Sequence, residues 1–227
     1  MSIVNDSVAS VRLARPVRVV VVDDHEIVAR GVAGLALERP RTMEVVLTAR
    51  TAAELFDHLD DLVADVVLLD LHLGDGSVAA DTIRRLADRG LPCLIYTSEL
   101  RPVPIRQVFT AGARGVCLKS DPDESLVEAL TEVMAGEVAM SSELAFLLAT
   151  STDLAAHLAP REQEALELLA SGVPKKAIGN QMVPKVAAAT VATYFTRVAD
   201  RYAGLGRPTG NSFDVVREAA KDGHFDL

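Results

Sequence analysis

Five short apolar runs punctuate the first half of this chain: Val17–Val22, Met43–Thr48, Ala64–Leu69, Pro92–Tyr96 and Gly115–Leu118. Between them lie segments with helical spacing of apolar residues, Ile27–Glu38, Ala52–Leu59, Val78–Arg89 and Pro104–Ala111, and Ser125–Ala135 follows the last run. A near-continuous apolar run bounded by polar residues is the pattern of a strand buried on both faces. Strands that alternate with helices imply βα units and a parallel sheet. At 227 residues and 49% hydrophobic content, the chain is large enough for one big domain or two ordinary ones.

Five strands and five helices from Val17 to Ala135 predict an α/β fold, a flavodoxin-like doubly wound five-stranded parallel sheet of order 2-1-3-4-5. Sheets of this kind place their reacting groups just beyond the carboxyl ends of the strands. Here strand 1 ends in Asp23-Asp24, strand 3 in Asp70, strand 4 in Thr97-Ser98 and strand 5 in Lys119. Each residue alone has a bland reading, because a lone Asp after a strand is usually a turn former or helix cap and a lone Lys is usually solvated. Four strand ends carrying them together along one edge is another matter. Three carboxylates held close repel one another. A hard divalent cation with oxygen ligands, Mg²⁺, resolves that repulsion. A lysine then pairs with phosphoryl or carboxylate oxygens, and a threonine hydroxyl donates to a phosphoryl oxygen. The assembly suits Asp70 as a nucleophile that takes a phosphoryl group and becomes an aspartyl phosphate.

Val-Val-Asp-Asp-His, Leu-Leu-Asp-Leu-His-Leu, Ile-Tyr-Thr-Ser and Gly-Ala-Arg-Gly-Val-Cys-Leu-Lys, which contain Asp23, Asp24, Asp70, Thr97 and Lys119, resemble the receiver domain of two-component response regulators. The resemblance implies a phospho-acceptor at Asp70 and Mg²⁺ held by Asp24 and Asp70, with the His72 backbone carbonyl as a further ligand and Asp23 acting through water. It also implies that Thr97 and Lys119 read the phosphoryl group, while the His72 imidazole is merely exposed. Two positions depart from the family pattern. Val116 stands three residues before Lys119, where the family usually has an aromatic, which puts the usual coupling from Thr97 in doubt. The loop Leu73-Gly74-Asp75-Gly76-Ser77 lacks the frequent proline. Tyr96 is expected on the opposite face of its strand from Thr97, since side chains alternate.

The net charge of −9 is unevenly spread. Ala155–Leu227 carries 9 Lys+Arg against 8 Asp+Glu, whereas the remainder carries 14 against 24. Within Gly172–Arg207 the balance is 6 basic to 1 acidic, which suggests an anionic partner for that stretch. The second half reads as helices only. Ser120 or Asp121 is expected to cap the last helix of the first domain, and Ser141–Leu148 reads as a short linker helix. Pro160 suits a first helical position and Gly172 a helix end. Lys175–Met182, a break at Pro184, and a longer Ala187–Tyr202 stopped by Gly204 and Gly206-Arg207-Pro208 give a helix-turn-helix pattern. Asn211 or Ser212 caps a fourth helix running to about Lys221. Leu158-Ala-Pro-Arg-Glu-Gln-Glu-Ala-Leu-Glu-Leu-Leu-Ala-Ser-Gly172, with Lys176-Ala-Ile178 and Thr190-Val191, resembles the LuxR-type DNA-binding domain. Its pairing with a receiver resembles the NarL/FixJ group. The expected domains are 16–136 (phospho-acceptor), 137–156 (linker, hinge near Asp153) and 157–227 (helix-turn-helix).

The resulting expectation is a regulator phosphorylated by a histidine kinase that binds double-stranded DNA as a homodimer, with Ser212–Lys221 as the dimer face. Lys175, Lys176, Lys185, Arg197 and Arg201 would contact phosphates. Thr190 continues the family match, and Thr193 and Thr196 would meet base edges or thymine methyls. Arg207 adds basic character, Phe195 is expected in the core, and Tyr194 lies between core and phosphate contact. Three other readings stay open: a protein-interaction module with a helix-turn-helix that binds no DNA, a regulator that works unphosphorylated, and a phosphatase-like enzyme that uses the Asp70 carboxylate for turnover, against which His72 stands where a general acid two residues past the nucleophile would be. Otherwise no enzyme activity is expected beyond the receiver's own Mg²⁺-dependent phosphorylation and dephosphorylation. Met1–Arg15 lacks a long apolar stretch and is not expected to be a secretory signal. No apolar run reaches the roughly 18 residues that span a bilayer. Cys93 and Cys117, each inside an apolar segment, are expected to be buried small hydrophobes in a cytoplasmic protein.

Overall fold

A computed structural model describes residues 15–150 and 155–227. The expectations about Met1–Ala14 and the hinge near Asp153 lie outside the described residues. The chain divides into two compact units, the first ending at Ser141 but excluding Leu100–Gln107, the second comprising Leu100–Gln107 and Ser142–Leu227.

In the first unit the strands are β1 (Val17–Val22), β2 (Met43–Ala49), β3 (Val66–Leu69), β4 (Cys93–Thr97), β5 (Gly115–Leu118) and β6 (Ala139–Met140). They form one sheet of order β2-β1-β3-β4-β5-β6. Every neighbouring pair is parallel. The central strands are apolar throughout because both their faces are covered, and all four residues of β3 are buried. The edge strand β2 alternates buried with exposed positions, as a strand with one open face must. Helices α1 (Glu26–Glu38) and α5 (Asp123–Met134) pack Val32, Leu35, Leu126 and Leu130 against Val19, Val21, Leu68 and Leu94 on one face. The alternate strand residues, including Val20, Val67, Leu69 and Ile95, are equally buried. Leu55 and Leu59 of α2 (Ala52–Leu59) and Ile83 and Leu86 of α3 (Ala79–Ala87) are buried too. Cys93 and Cys117 are buried, and burial pushes both thiols up, Cys117 to about 12.

Among the described residues the sheet has six strands, not the expected five. β6 is two residues long, too short for any periodicity to betray it. Its signature is Gly115, whose partner in the register is Ala139. A Cβ on Gly115 would come within 2.5 Å of the Ala139 carbonyl oxygen, so only glycine lets β6 approach. The cap of α5 also differs from expectation. Pro122 holds the N-cap position, and Asp121 Oδ2 instead accepts from the Leu118 backbone N–H at 3.1 Å. Helix α4 (Pro102–Ala111) begins two residues earlier than its sequence pattern suggests, because proline is well suited to a first helical turn.

The second unit contains α6 (Ser142–Thr150), α7 (Pro160–Ala170), α8 (Lys175–Gln181), α9 (Ala188–Gly204) and α10 (Ser212–Asp222). Pro160 opens α7, and the Glu162 side chain accepts from the Ala159 N–H at 2.9 Å. Asn211 Oδ1 caps α10 through the N–H groups of Phe213 and Asp214. Leu166, Leu169, Ile178, Val191, Phe195, Val198, Tyr202 and Val216 form the core of this unit. Gly204 is the last residue of α9, Leu205 caps it, and Gly206 follows at φ 74°. The stretch between α8 and α9 folds back so that Val186 N–H donates to the Gly179 carbonyl at 2.9 Å, and a Cβ on Gly179 would overlap the Val186 carbonyl. No helix among the described residues is long and apolar enough to cross a membrane.

Candidate functional site

The parallel register delivers the charged residues to one edge. Beyond the ends of their strands, Asp23 N–H donates to the Ala49 carbonyl (3.0 Å), Asp70 N–H to Val22 (2.9 Å) and Lys119 N–H to Thr97 (2.8 Å). These bonds fix the backbone of each residue before its side chain is considered. Asp23 and Asp70 are buried, 3% and 5% exposed. Lys119 Nζ lies between them, 2.7 Å from Asp23 Oδ2 and 2.9 Å from Asp70 Oδ2. Asp70 Oδ1 accepts from the Leu71 N–H at 2.8 Å. Two carboxylates out of water need such a countercharge, since an unpaired buried ion is costly.

Asp24 Oδ2 accepts from the Gly74 N–H at 3.1 Å. A Cβ on Gly74 would come within 2.9 Å of that oxygen, so the loop after β3 hugs the carboxylate only because residue 74 is glycine. Asp24 Oδ1 is buried and accepts no hydrogen bond, although His25 Nδ1 lies 2.9 Å away. Ligating atoms of Asp23, Asp24, His25 and Asp70 all fall within 4.8 Å of one another. A cluster of hard carboxylate oxygens, one with an unused buried lone pair, fits a hard divalent cation.

The loop after β3 is ordered without the family's proline. Asp75 Oδ1 accepts from the Ser77 N–H (2.8 Å) and Oδ2 from the Ala52 N–H (2.9 Å). Hydrogen bonding by the Ser77 side chain, with smaller help from the Ser77 and Ala52 N–H groups, holds the Asp75 carboxyl below the usual range against the effect of burial. Thr97 is 1% exposed, and its hydroxyl oxygen accepts from the Glu99 N–H at 3.2 Å. The His72 imidazole is not merely exposed. Its Nε2 is 2.9 Å from Glu99 Oε2, and Glu99 is itself 8% exposed. Sequence reasoning missed Glu99, His25, Gly74 and Asp75. The adjacency of His25 to Asp24 and the acidic residue two positions past Thr97 were the available signals. Val116 is buried opposite Ile95. Tyr96 packs instead with the α1/α5 cluster, on the other face of its strand as expected.

The second candidate surface lies on α8, α9 and the turn between them. Lys175, Lys176, Lys185, Thr193, Thr196 and Arg197 are exposed and Thr190 is half-buried. Lys175 Nζ donates to Ser212 Oγ at 2.5 Å and stands 4.4 Å over the Phe195 ring. Arg201 departs from the role expected of it: its guanidinium grips the buried Glu162 through both nitrogens, with Nη2 at 3.1 Å from Oε1, and so ties α9 to α7. Burial opposes ionisation of Glu162, but Arg201 and the Ala159 N–H outweigh it and hold the carboxyl below its ordinary value. Arg207 is likewise committed, to Glu218 and Asp222. Phe195 is core, and Tyr194 packs half-buried against it.

The family pattern of the response regulator receiver domain matches residues 19–131. The DNA-binding transcriptional activator DevR/DosR of Mycobacterium tuberculosis is 32% identical over 203 residues, 85% of this chain and 91% of that protein. A LuxR-family two-component response regulator of Aurantimonas sp. SI85-9A1 is 32% identical, with TM-score 0.55, over 60% of this chain and 98% of the other. RcsB of Salmonella enterica serovar Typhimurium, solved bound to a promoter with a phosphomimetic, shares the fold across 91% of this chain and 99% of its own, with TM-score 0.64 and 22% identity.

Proposed function

This chain belongs to the receiver-domain response regulators, and from that premise we propose that Asp70 accepts a phosphoryl group from a histidine kinase and that the modified protein binds double-stranded DNA as a homodimer to control transcription. The observation that carries the first step is Lys119 Nζ poised between two buried carboxylates. In the transfer, an Asp70 oxygen bonds to phosphorus while the bond from phosphorus to the donor's imidazole nitrogen breaks, and that nitrogen keeps the electron pair. Lys119 holds the Asp70 carboxylate in place and then faces the phosphoryl oxygens as a point charge. Thr97 turns its hydroxyl proton to one of them. Asp24 and Asp70, with Asp23 and the His72 carbonyl, would hold Mg²⁺, which when bound supplies positive charge against the phosphoryl oxygens. The chain performs no chemistry beyond its own phosphorylation and dephosphorylation, and acts in the cytoplasm.

Residues 16–136 would carry the chemistry and 157–227 the DNA contacts, with 137–156 between them. Lys175, Lys176, Lys185 and Arg197 would meet phosphates, Thr190, Thr193 and Thr196 would lie toward the groove, and α10 would join two copies. The similarity to DevR/DosR, a DNA-binding activator, supports that reading. Asp70→Asn is the test of the first step. The variant should take up no label from a small phosphodonor with Mg²⁺ while folding normally; continued labelling would refute Asp70 as the acceptor.

A further inference from the structure

The outward row of α9 carries small methyl-bearing residues along its first turns. Val191, Phe195, Val198 and Tyr202 face the core of the second unit. At about 100° per residue, the opposite row is Ala189, Thr193, Thr196 and Asp200, with Ala192 and Arg197 beside it, and all six are exposed. From Val186 to Thr196 there is no Arg, Lys, Asn, Gln, Asp or Glu. Those are the side chains that read guanine, adenine and cytosine edges through hydrogen bonds. The two hydroxyl protons on the row are committed to the helix's own backbone: Thr193 Oγ1 donates to the Ala189 carbonyl at 3.0 Å and Thr196 Oγ1 to the Ala192 carbonyl at 3.1 Å. Outward there remain alanine Cβ atoms and threonine Cγ2 methyls.

Around this apolar row the charge suits a polyanion. Exposed Lys176, Lys185 and Arg197 flank it in sequence, and Asp200, the first acidic residue of the helix, would stop close approach to phosphates beyond the third turn. We propose that α9 reads duplex DNA by apolar contact of Ala189, Thr193 and Thr196 with thymine 5-methyl groups in the major groove. The lysines and arginine supply sequence-independent phosphate contacts, and the methyl row supplies the preference. This inference rests on the DNA-binding reading above and goes further by naming the base group read.

The full chain, with Mg²⁺ and a small phosphodonor, is first used to select bound duplexes from a random-sequence pool. The selected site is then rebuilt with deoxyuridine at one thymidine position at a time, which removes only the methyl. Each contacted position should weaken binding roughly 3- to 5-fold, the effect of one buried methyl, with the salt dependence unchanged. Thr193→Ser, which keeps the hydroxyl and loses the methyl, should weaken thymine duplexes by the same factor and leave the matching uracil duplex unaffected. Thr193→Val, which keeps the methyl shape and loses the hydroxyl, should preserve the discrimination. Salt-dependent binding with equal affinity for thymine and uracil duplexes overturns the methyl reading and leaves DNA binding standing. So does loss of discrimination in Thr193→Val, which would assign the reading to the hydroxyl. Absence of salt-dependent binding to any duplex overturns both proposals.

Discussion

The pocket of the first unit and the helix-turn-helix of the second use their charges in opposite ways. In the pocket, Asp23, Asp70 and Lys119 are drawn out of water and answer one another, so each position is meaningful only with its partners. On α8, the turn after it and α9, Lys176, Lys185 and Arg197 stay exposed, and the partner proposed for them is external. A buried constellation is fixed by strand register, which pins each residue to an edge. A helical surface is fixed by phase and by what neighbouring helices recruit, and recruitment can remove a residue from it, as Glu162 removes Arg201.

The sharpest way to break this contrast is to delete the central cation. Lys119→Ala leaves two carboxylates, 3% and 5% exposed, without their countercharge. Removing one partner of a buried ion pair costs about 3–5 kcal/mol. Chemical denaturation should show a loss of that size, and Asp70→Asn in the same chain should recover part of it, since one of the stranded charges is then gone. Full additivity of the two substitutions would mean that Lys119 and Asp70 do not interact. No exposed lysine of α8 should show a comparable loss when replaced.

The second unit has its own rigid point, and it is not a charge. Alanine at position 179 would ordinarily favour a helix by about 1 kcal/mol over glycine. Here its Cβ would overlap the Val186 backbone carbonyl, and backbone cannot move aside as a side chain tip can. Gly179→Ala should therefore destabilise the second unit by about 2 kcal/mol net, in the range of overpacking, while phosphodonor labelling of Asp70 stays at its normal rate. An increase in stability would show that the turn between α8 and α9 is free to shift.

The same contrast explains what the sequence disclosed. The order of the first five strands was legible because apolar runs fix strands, and the meeting of Asp23, Asp24, Asp70 and Lys119 was legible because strand ends fix an edge. Glu99 was not, since nothing local says that a glutamate two residues past Thr97 will be buried against His72. β6 was hidden by its length, with only Gly115 to mark it. In the second half, helix boundaries were readable from Pro160, Gly172 and Asn211. The division of its arginines was not. Arg197 and Arg201 are four residues apart on one helix and look alike in sequence, yet only the tertiary position of Glu162 makes one a fastener and leaves the other exposed.

That division can be tested through pH. The Glu162 carboxyl is held below its ordinary value in the folded chain. A depressed carboxyl contributes stability that is fully present above the ordinary carboxylate range and is lost as pH falls through the folded value. Replacing Arg201 by alanine removes the main group that depresses it and leaves burial, which acts the other way. In the variant, where the Ala159 N–H still donates, the folded carboxyl should rise from its depressed value, so it contributes less stability at neutral pH and the difference from the parent chain shrinks as acid protonates both. The half-open guanidinium is screened by solvent, so Arg201→Ala should lose only about 1 kcal/mol at pH 7.5. Urea denaturation at pH 7.5, 6 and 5 should show the gap between the two chains narrowing with acid. A gap that is constant across this range would mean that Arg201 holds α9 to α7 by packing of its stem alone, and its guanidinium would then be as available to an external anion as that of Arg197.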